Sequence, residues 1–328
     1  MGTQTELSIG KLRGLQQCAS PEGIFVCLAL DHRQNLRRIL RPDAPSEVDG
    51  YTLSRFKVEV TAALAEQSTA VLLDPEYGAA QAVAAGALPG RVGLVVALEA
   101  TGYEGEPHAR RSRLLPGWDV AKAKRMGASM VKLLVYYHPE SPTAEEVQAL
   151  VRKVAAECRV HDIPLMLEPL GYSLDAARPL SPLERRKVAV SAARDLVGPG
   201  VELLKAEFLA DARGEPDERA WGEACSELSG ASRAPWILLS AAVDFETYLR
   251  QVAAACRAGA SGVAVGRAVW QEAAGLSGQA RTAFLRTTAR ERLARLTEVC
   301  TALAMPFSHF YRAEAPLDWY GRYGEGRP

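Results

Sequence analysis

Residues 24–33 read IFVCLALDHR, seven apolar residues followed by Asp31, His32 and Arg33. An apolar run without alternation is typical of a parallel strand buried on both faces. The pattern recurs along the chain, each short apolar run being followed by a polar loop and a longer amphipathic stretch. It predicts eight strands, at residues 24–30, 70–73, 92–98, 130–135, 163–167, 201–204, 236–239 and 262–265.

Amphipathic stretches separate these runs, the clearest at residues 52–65, 120–126, 144–160, 182–196 and 245–258. Eight strand–helix units without a break in composition predict an α/β protein with one (β/α)₈ (TIM) barrel. A doubly wound open sheet is the second candidate, but no GxGxxG follows the first strand. We also expect an extra N-terminal helix near residues 6–17 and a long C-terminal helix near residues 279–303.

The whole chain, residues 1–328, is predicted to be a single barrel domain, with its core at about residues 22–300 and a tail at residues 306–328. The tail is rich in aromatic residues, namely Phe307, Phe310, Tyr311, Trp319, Tyr320 and Tyr323. So many rings favour packing on the barrel or on a partner subunit, and in the second case the protein would be a homo-oligomer.

The charge balance limits the function classes. Lys and Arg total 39 and Asp and Glu total 39, so the formal net charge is zero. This disfavours nucleic-acid and anionic-membrane binding, which both depend on excess basic charge. The polar N-terminus lacks the apolar segment of a secretion signal, and the six cysteines form no CxxC motif. We therefore expect a cytoplasmic protein with reduced thiols.

In a (β/α)₈ barrel the active site lies where the strands end, at their carboxyl side. Polar groups follow seven of the predicted strands, and Lys132 lies inside the fourth; in chain order the eight are Asp31, Asp74, Glu99, Lys132, Glu168, Lys205, Ser240 and Arg267. A barrel without a site at this end would carry most such residues in exposed loops.

Two of the eight lysines occur in apolar sequence, Lys132 in MVKLLV and Lys205 in ELLKAEF; the other six occur in polar or helical surroundings where a solvated ammonium is expected. A buried lysine beside another cation has a lowered pKa and acts as an amine nucleophile. The alternative is an ion pair with Glu168, Glu99 or Asp31. Two lysines together with carboxylates favour a catalytic group.

Two further predictions concern strand ends. Glu168 closes the apolar PLMLEP run, where burial is expected to raise its pKa and allow it to donate and accept protons. Ser240 and the Gly266–Arg267 pair follow strands seven and eight, where barrels commonly bind phosphate.

Metal catalysis is not predicted. The five histidines form no HxH or HExxH motif. Asp74 and Glu76 are of the type that binds Mg²⁺, but Asp74 precedes a proline and is better interpreted as a turn former. No cofactor is expected.

Ten segments of the chain resemble the class I, metal-independent tagatose 1,6-bisphosphate aldolases and the related ketose-bisphosphate and sulfofructosephosphate aldolases. The matching segments are ALDHR (29–33), LLDPEYG (72–78), EATGYE (99–104), SRL (112–114), VKLLVYY (131–137), DIPLMLEPLGY (162–172), LLKAEF (203–208), LLSAAV (238–243), GVAVGRAVW (262–270) and LRTT (285–288). They occur in order over most of the chain.

The resemblance implies a role for each matching residue. Lys205 takes the place of the Schiff-base lysine and Glu168 that of the general acid/base. Lys132 would be the second cation that lowers the pKa of Lys205, and Asp31 the carboxylate that orients it or the substrate hydroxyls. Ser240, Gly266 and Arg267 would bind the 1-phosphate, and Arg33 is the candidate for the distal phosphate.

The implied reaction is cleavage of a ketose 1,6-bisphosphate, such as tagatose 1,6-bisphosphate, to dihydroxyacetone phosphate and glyceraldehyde 3-phosphate. The chain departs from the family at His32, at Gln34 and in LEPLGY. His32 and Arg33 would mark an altered distal anion pocket, so sulfofructose 1-phosphate or a deoxy-keto sugar phosphate is an alternative substrate. A barrel sugar-phosphate isomerase or epimerase, or a sugar-phosphate sensor, is the alternative from another class.

Overall fold

A computed structural model describes residues 4–210, 217–241 and 243–324 of the chain. Eight parallel strands close into a barrel in the order of the sequence, and the first strand pairs with the last. The strands are β1 (Phe25–Ala29), β2 (Ala70–Leu73), β3 (Gly93–Ala97), β4 (Met130–Tyr137), β5 (Leu165–Gly171), β6 (Leu203–Ala206), β7 (Trp236–Leu239) and β8 (Gly262–Val265). The predicted (β/α)₈ barrel is confirmed.

Strands β2, β7 and β8 have the predicted bounds, whereas β5 and β6 end later than predicted. Glu168 and Lys205 were expected at strand ends but lie inside β5 and β6. Their charges do not end the strands because both side chains are buried in ion pairs with each other. Strand β5 continues beside β4 until Gly171 pairs with Tyr137.

The helices surround the barrel and are α1 (Ile9–Cys18), α2 (Gln34–Leu40), α3 (Gly50–Leu64), α4 (Ala79–Ala84), α5 (Val120–Arg125), α6 (Ala144–Val160), α7 (Pro182–Leu196), α8 (Glu218–Ala231), α9 (Phe245–Arg257), α10 (Arg267–Trp270), α11 (Gly278–Phe284) and α12 (Arg290–Leu303). Short polar side chains begin several of them. Ser181 and Glu184 form a capping box on α7, and Asp244 accepts a hydrogen bond from the Thr247 amide on α9.

The C-terminal helix differs from the single helix predicted. Its α11 and α12 segments are joined by a π-helical turn, Leu285–Ala289. Leu285 and Ala289 of the turn are buried, as are Leu293, Leu296 and Cys300 of α12, whereas α11 has no buried residue.

The aromatic tail packs at the end of the barrel where the strands begin. The Phe307 amide donates to the Gly23 carbonyl just before β1, and Tyr311–Arg312 pairs with Thr5–Glu6. Phe307 and Tyr311 are buried, whereas Trp319, Tyr320 and Tyr323 are exposed. The contact with the barrel is therefore confirmed for part of the tail, and the homo-oligomer stays a prediction.

Within the described ranges, no helix is both long and apolar enough to cross a membrane. All six cysteines are buried as free thiols.

Candidate active site

The centre of the barrel mouth is the ammonium group of Lys132, which is fully buried. Its Nζ lies 2.6 Å from Glu99 Oε1, 2.8 Å from Asp31 Oδ2 and 2.9 Å from Glu168 Oε2. The three carboxylates come from three different strands or the residues that follow them, β1, β3 and β5. One cation therefore ties together the carboxyl ends of alternate strands.

The electrostatics of this cluster favour its charged form. Burial alone would lower the pKa of Lys132, but Asp31, Glu168 and Glu99 hold it well above the ordinary lysine value. Burial would likewise raise the pKa of Asp31, yet Lys132, Lys205 and His32 hold it well below its usual range. Lys132 therefore stays an ammonium at neutral pH.

Glu168 joins the two lysines. Its Oε2 lies 2.9 Å from Lys205 Nζ as well as 2.9 Å from Lys132 Nζ. The raised pKa predicted for Glu168 from its apolar strand is wrong. Burial does act in that direction, but the two ammonium groups outweigh it, and the pKa of Glu168 is lowered.

Lys205 has a simpler environment than Lys132. It is 4% exposed, and Glu168 is the carboxylate that forms its ion pair within the described part of the chain. One lysine is thus surrounded by three carboxylates, and the other shares one of them. Of the two ammonium groups, that of Lys205 therefore has fewer carboxylates around it among the described residues.

Arg33 follows β1 and contacts residues next to this cluster. Its Nη2 donates to the Glu99 carbonyl oxygen at 2.7 Å, and its Nη1 donates to Glu76 Oε2 at 2.5 Å. The Glu99 carboxylate also accepts from the Leu134 amide, at 3.0 Å. These contacts fix the Glu99 side chain in the orientation in which it meets Lys132.

His32 lies beside Asp31, with Nδ1 4.0 Å from Asp31 Oδ1, and its ring meets the edge of the Trp270 indole. Burial lowers the pKa of His32 to about 4, although Asp31 acts in the opposite direction. The imidazole is therefore neutral at pH 7. Its Nδ1 is buried and has no hydrogen-bond partner among the described residues.

Ser240, Gly266 and Arg267 meet at the ends of β7 and β8. The Gly266 amide donates to Ser240 Oγ at 2.9 Å. A Cβ at position 266 would lie 2.9 Å from the Ala29 carbonyl oxygen, so the backbone approaches β1 closely here. Arg267 Nε is buried and unpaired within the described residues. The three residues are therefore together, as the sequence predicted, on the side of the mouth next to His32.

Two lysines assigned to solvated surroundings are buried instead. Lys57 of α3 is fully buried and pairs with Asp74, which also accepts a hydrogen bond from the Tyr77 amide at 2.8 Å. Lys11 pairs with Glu202 at 2.7 Å. Burial is tolerated because each ammonium has its own carboxylate. The burial of Lys57 could have been predicted from its position on the apolar face of α3.

Asp74 therefore has both a turn contact and an ion pair. The described residues contain no cluster of three or more His, Cys, Asp and Glu side chains arranged to hold a metal ion.

The arrangement suits amine chemistry on a carbonyl. A lysine nitrogen, a shared carboxylate and a second ammonium lie within 3 Å steps of one another at the carboxyl ends of parallel strands. A buried amine beside a carboxylate that can take its proton is the arrangement that covalent catalysis by lysine requires.

The comparisons with known proteins agree with this chemistry. The family model described as DeoC/LacD family aldolase matches residues 25–272, which include the whole barrel. The chain belongs to the DeoC/LacD aldolase family. As a member of this family it is a lyase, and the resemblance found in the sequence is confirmed.

Two curated relatives span nearly the same length. A tagatose 1,6-diphosphate aldolase from Listeria monocytogenes serotype 4a (strain HCC23) is 30% identical, with 97% of this chain and 96% of that protein aligned. Tagatose 1,6-diphosphate aldolase 2 from Enterococcus faecalis (strain ATCC 700802 / V583) is 32% identical, with coverages of 91% and 96%.

Solved aldolases share the fold. A fructose-bisphosphate aldolase from Plasmodium falciparum aligns with a TM-score of 0.71 at 13% identity, covering 93% of this chain and 99% of that one. An archaeal fructose 1,6-bisphosphate aldolase aligns with a TM-score of 0.57 at 20% identity, covering 86% and 98%.

The ion-pair network predicts how the variant Lys132→Met behaves. Three buried carboxylates lose their common cation, so the free energy of unfolding should fall by about 3–5 kcal/mol at about pH 7.5. In the wild type, the lowered pKa values of Asp31 and Glu168 contribute stability that is lost as the pH falls through them. The wild type therefore keeps this stability down to about pH 4.5. In the variant the carboxylates are buried without their common cation and their pKa values rise, so they take up protons as the pH falls from about 7.5 to about 5, and this relieves part of the penalty.

The difference between wild type and Lys132→Met should therefore shrink between about pH 7.5 and about pH 5 in urea unfolding. Lys153→Met on the exposed side of α6 is the matched control and should change stability little at either pH. An equal difference at the two pH values would contradict the assignment of the charges.

Proposed function

We propose that the protein is a class I aldolase that forms a Schiff base and cleaves a ketose 1,6-bisphosphate such as tagatose 1,6-bisphosphate. The products are dihydroxyacetone phosphate and glyceraldehyde 3-phosphate. The observation that carries the proposal is the unequal sharing of carboxylates by two buried lysines. Lys132 has three and stays charged, whereas Lys205 has, among the described residues, the one that it shares.

Lys205 is proposed as the nucleophile. On substrate binding it passes a proton to Glu168, 2.9 Å away, and the neutral amine attacks the C2 carbonyl. Glu168 then returns this proton to the carbinolamine hydroxyl, water leaves, and an iminium bonded to Lys205 Nζ remains with Glu168 again ionised.

Cleavage then uses Glu168 as a base. The carboxylate removes the proton from the C4 hydroxyl, the C3–C4 bond breaks, and its electron pair passes into the iminium to form an enamine. Glyceraldehyde 3-phosphate leaves. Protonation at C3 and hydrolysis release dihydroxyacetone phosphate and restore Lys205. The lowered pKa of Glu168 keeps it ionised at neutral pH, as a base must be.

The remaining site residues are proposed to hold the substrate. Asp31 accepts hydrogen bonds from substrate hydroxyls while it holds Lys132. Ser240, Gly266 and Arg267 bind the 1-phosphate, for which the unpaired Arg267 Nε supports a charged hydrogen bond. Each step moves protons and electron pairs between substrate and side chains, so the proposed reaction needs neither cofactor nor metal.

The nucleophile is tested by trapping. Incubation with dihydroxyacetone phosphate and borohydride should add one reduced triose phosphate to the wild type, and peptide mapping should place it on Lys205. Lys205→Met should show no adduct by intact mass, because Lys132 remains held by three carboxylates. Circular dichroism of the variant checks that it is folded. An adduct on Lys132, or none in the wild type, would reject the assignment, and absence of any adduct would favour an isomerase.

The base is tested by Glu168→Gln. The amide cannot accept the C4 proton, so kcat for ketose bisphosphate cleavage should fall by about 10²- to 10⁴-fold. Glu207→Gln is the matched control, because Glu207 follows β6 at the same end of the barrel and contacts the Gly171 amide instead of a lysine. It should lose far less activity. Similar losses in the two variants would show that Glu168 has no special role in proton transfer.

A further inference from the structure

The guanidinium of Arg110 lies among three tyrosine rings near the barrel mouth. Its guanidinium carbon lies 4.5 Å from the ring centre of Tyr103, 4.6 Å from that of Tyr172 and 5.6 Å from that of Tyr136. Three tyrosine faces around one guanidinium form a cation–π cage, which fixes the position of the charge without neutralising it.

No acidic side chain in the described part of the chain pairs with Arg110. Its neighbours Arg111 and Arg113 form ion pairs with Glu146 and Glu104, at 2.8 Å in each case. Arg110 forms no ion pair with any described residue, and its Nε donates to the Pro107 carbonyl oxygen at 3.1 Å. The two terminal nitrogens of the fork are therefore free of carboxylates, which suits them to bind an external anion in a bidentate manner.

The loop that carries Arg110 is held in place. Residues 99–114 fold back on themselves through antiparallel bridges, Glu99 with Leu114 and Glu104 with Arg111. The buried Thr143 hydroxyl donates to the Arg110 carbonyl oxygen at 3.0 Å.

Tyr172 is fixed as well. It is buried, and its hydroxyl donates to Ser141 Oγ at 2.7 Å. The Tyr136 amide donates to Ser112 Oγ at 2.8 Å, which ties β4 to the same loop. The cage is therefore part of the folded barrel and is built before any ligand binds.

The cage stands directly above the proposed chemistry. Lys132, Leu134 and Tyr136 alternate along β4, so their side chains share one face of the strand. Leu134 is the register partner of Glu168, and Tyr136 lies two residues further on, about 7 Å at about 3.3 Å per residue. Burial raises the pKa of Tyr136, whereas the positive charges of Arg110 and Lys132 act to lower it. The cage and the lysine cluster therefore share one electrostatic environment.

This separation fits the substrate. Six bonds of about 1.5 Å each join C2 of a ketose 1,6-bisphosphate to the distal phosphorus, and an extended chain of that length reaches about 7 Å. If C2 is bonded to Lys205, the distal phosphate arrives at the level of Tyr136 and Arg110.

Arg33, the candidate from the sequence, is less suited to this role because both of its terminal nitrogens are engaged, with Glu76 and with the Glu99 carbonyl. His32 is neutral at pH 7 and also lies on the opposite side, next to Trp270.

We propose that Arg110, held by Tyr103, Tyr136 and Tyr172, binds the distal phosphate of the substrate and sets the preference for bisphosphates over ketose 1-phosphates. This inference rests on the proposed function, because it takes C2 to be bonded at Lys205. It adds the residue that recognises the other end of the substrate.

The test compares two substrates, a ketose 1,6-bisphosphate and the corresponding ketose 1-phosphate, in wild type and Arg110→Met. The variant should lose about 10- to 100-fold in kcat/KM for the bisphosphate, since one charged bidentate contact is removed. Its kcat/KM for the 1-phosphate should stay close to that of the wild type. Arg110→Lys should recover part of the preference, because it keeps the charge but not the fork.

Arg111→Met is the matched control. It removes the neighbouring arginine, whose half-exposed guanidinium pairs with Glu146, and should change neither substrate. Equal losses for the two substrates in Arg110→Met would show that Arg110 only supports the loop, and no loss for either would show that the distal phosphate binds elsewhere. Both results would overturn the inference.

Trapping with dihydroxyacetone phosphate separates this inference from the proposed function. Dihydroxyacetone phosphate has no distal phosphate, so Arg110→Met should form the borohydride-stable adduct as the wild type does. A missing adduct in the wild type would refute the Schiff-base function itself, whereas a normal adduct with unchanged substrate preference in the variant would refute only the role of Arg110.

Discussion

Three carboxylates share the buried ammonium of Lys132, and the rest of the barrel mouth depends on this arrangement. Asp31, Glu99 and Glu168 come from the first, third and fifth strand positions, so their common cation holds those strand ends at fixed distances. Isolated buried charges are expensive, and a cluster in which each is paired keeps the cost tolerable. Arg33 extends the same network by binding the Glu99 carbonyl.

This network also distinguishes the two lysines, which the sequence alone presents as near equivalents. Lys132 cannot readily lose its proton, since three anions stabilise its charged form. Among the described residues, Lys205 forms its ion pair with Glu168, which also binds Lys132. The two lysines thus have different surroundings, and we propose that they have different tasks. The division follows from where the strands place the three carboxylates.

Much of the barrel was predictable from the sequence because its strands are continuous apolar runs buried on both faces. Ala70–Leu73, Trp236–Leu239 and Gly262–Val265 were located to the residue. The predicted positions of Glu168 and Lys205 at strand ends were wrong, since a charge ends a strand only when it has no partner inside. The direction of the Glu168 pKa shift was missed for the same reason: burial is visible in sequence, whereas two ammonium groups at 2.9 Å are a property of the closed barrel. The burial of Lys57 was missed because its partner Asp74 follows a different element of the barrel. Arg110 was missed because the three tyrosine rings around it come together only in the folded chain.

The proposed Schiff base is tested most directly by a crystal structure of the enzyme after borohydride reduction with dihydroxyacetone phosphate. We expect electron density continuous from Lys205 Nζ to C2 of the triose, with Glu168 beside C3, Lys132 still bound by its three carboxylates, and the phosphate on Ser240, Gly266 and Arg267. Density joined to Lys132, or a triose phosphate bound without a covalent bond to Lys205, would contradict the proposal.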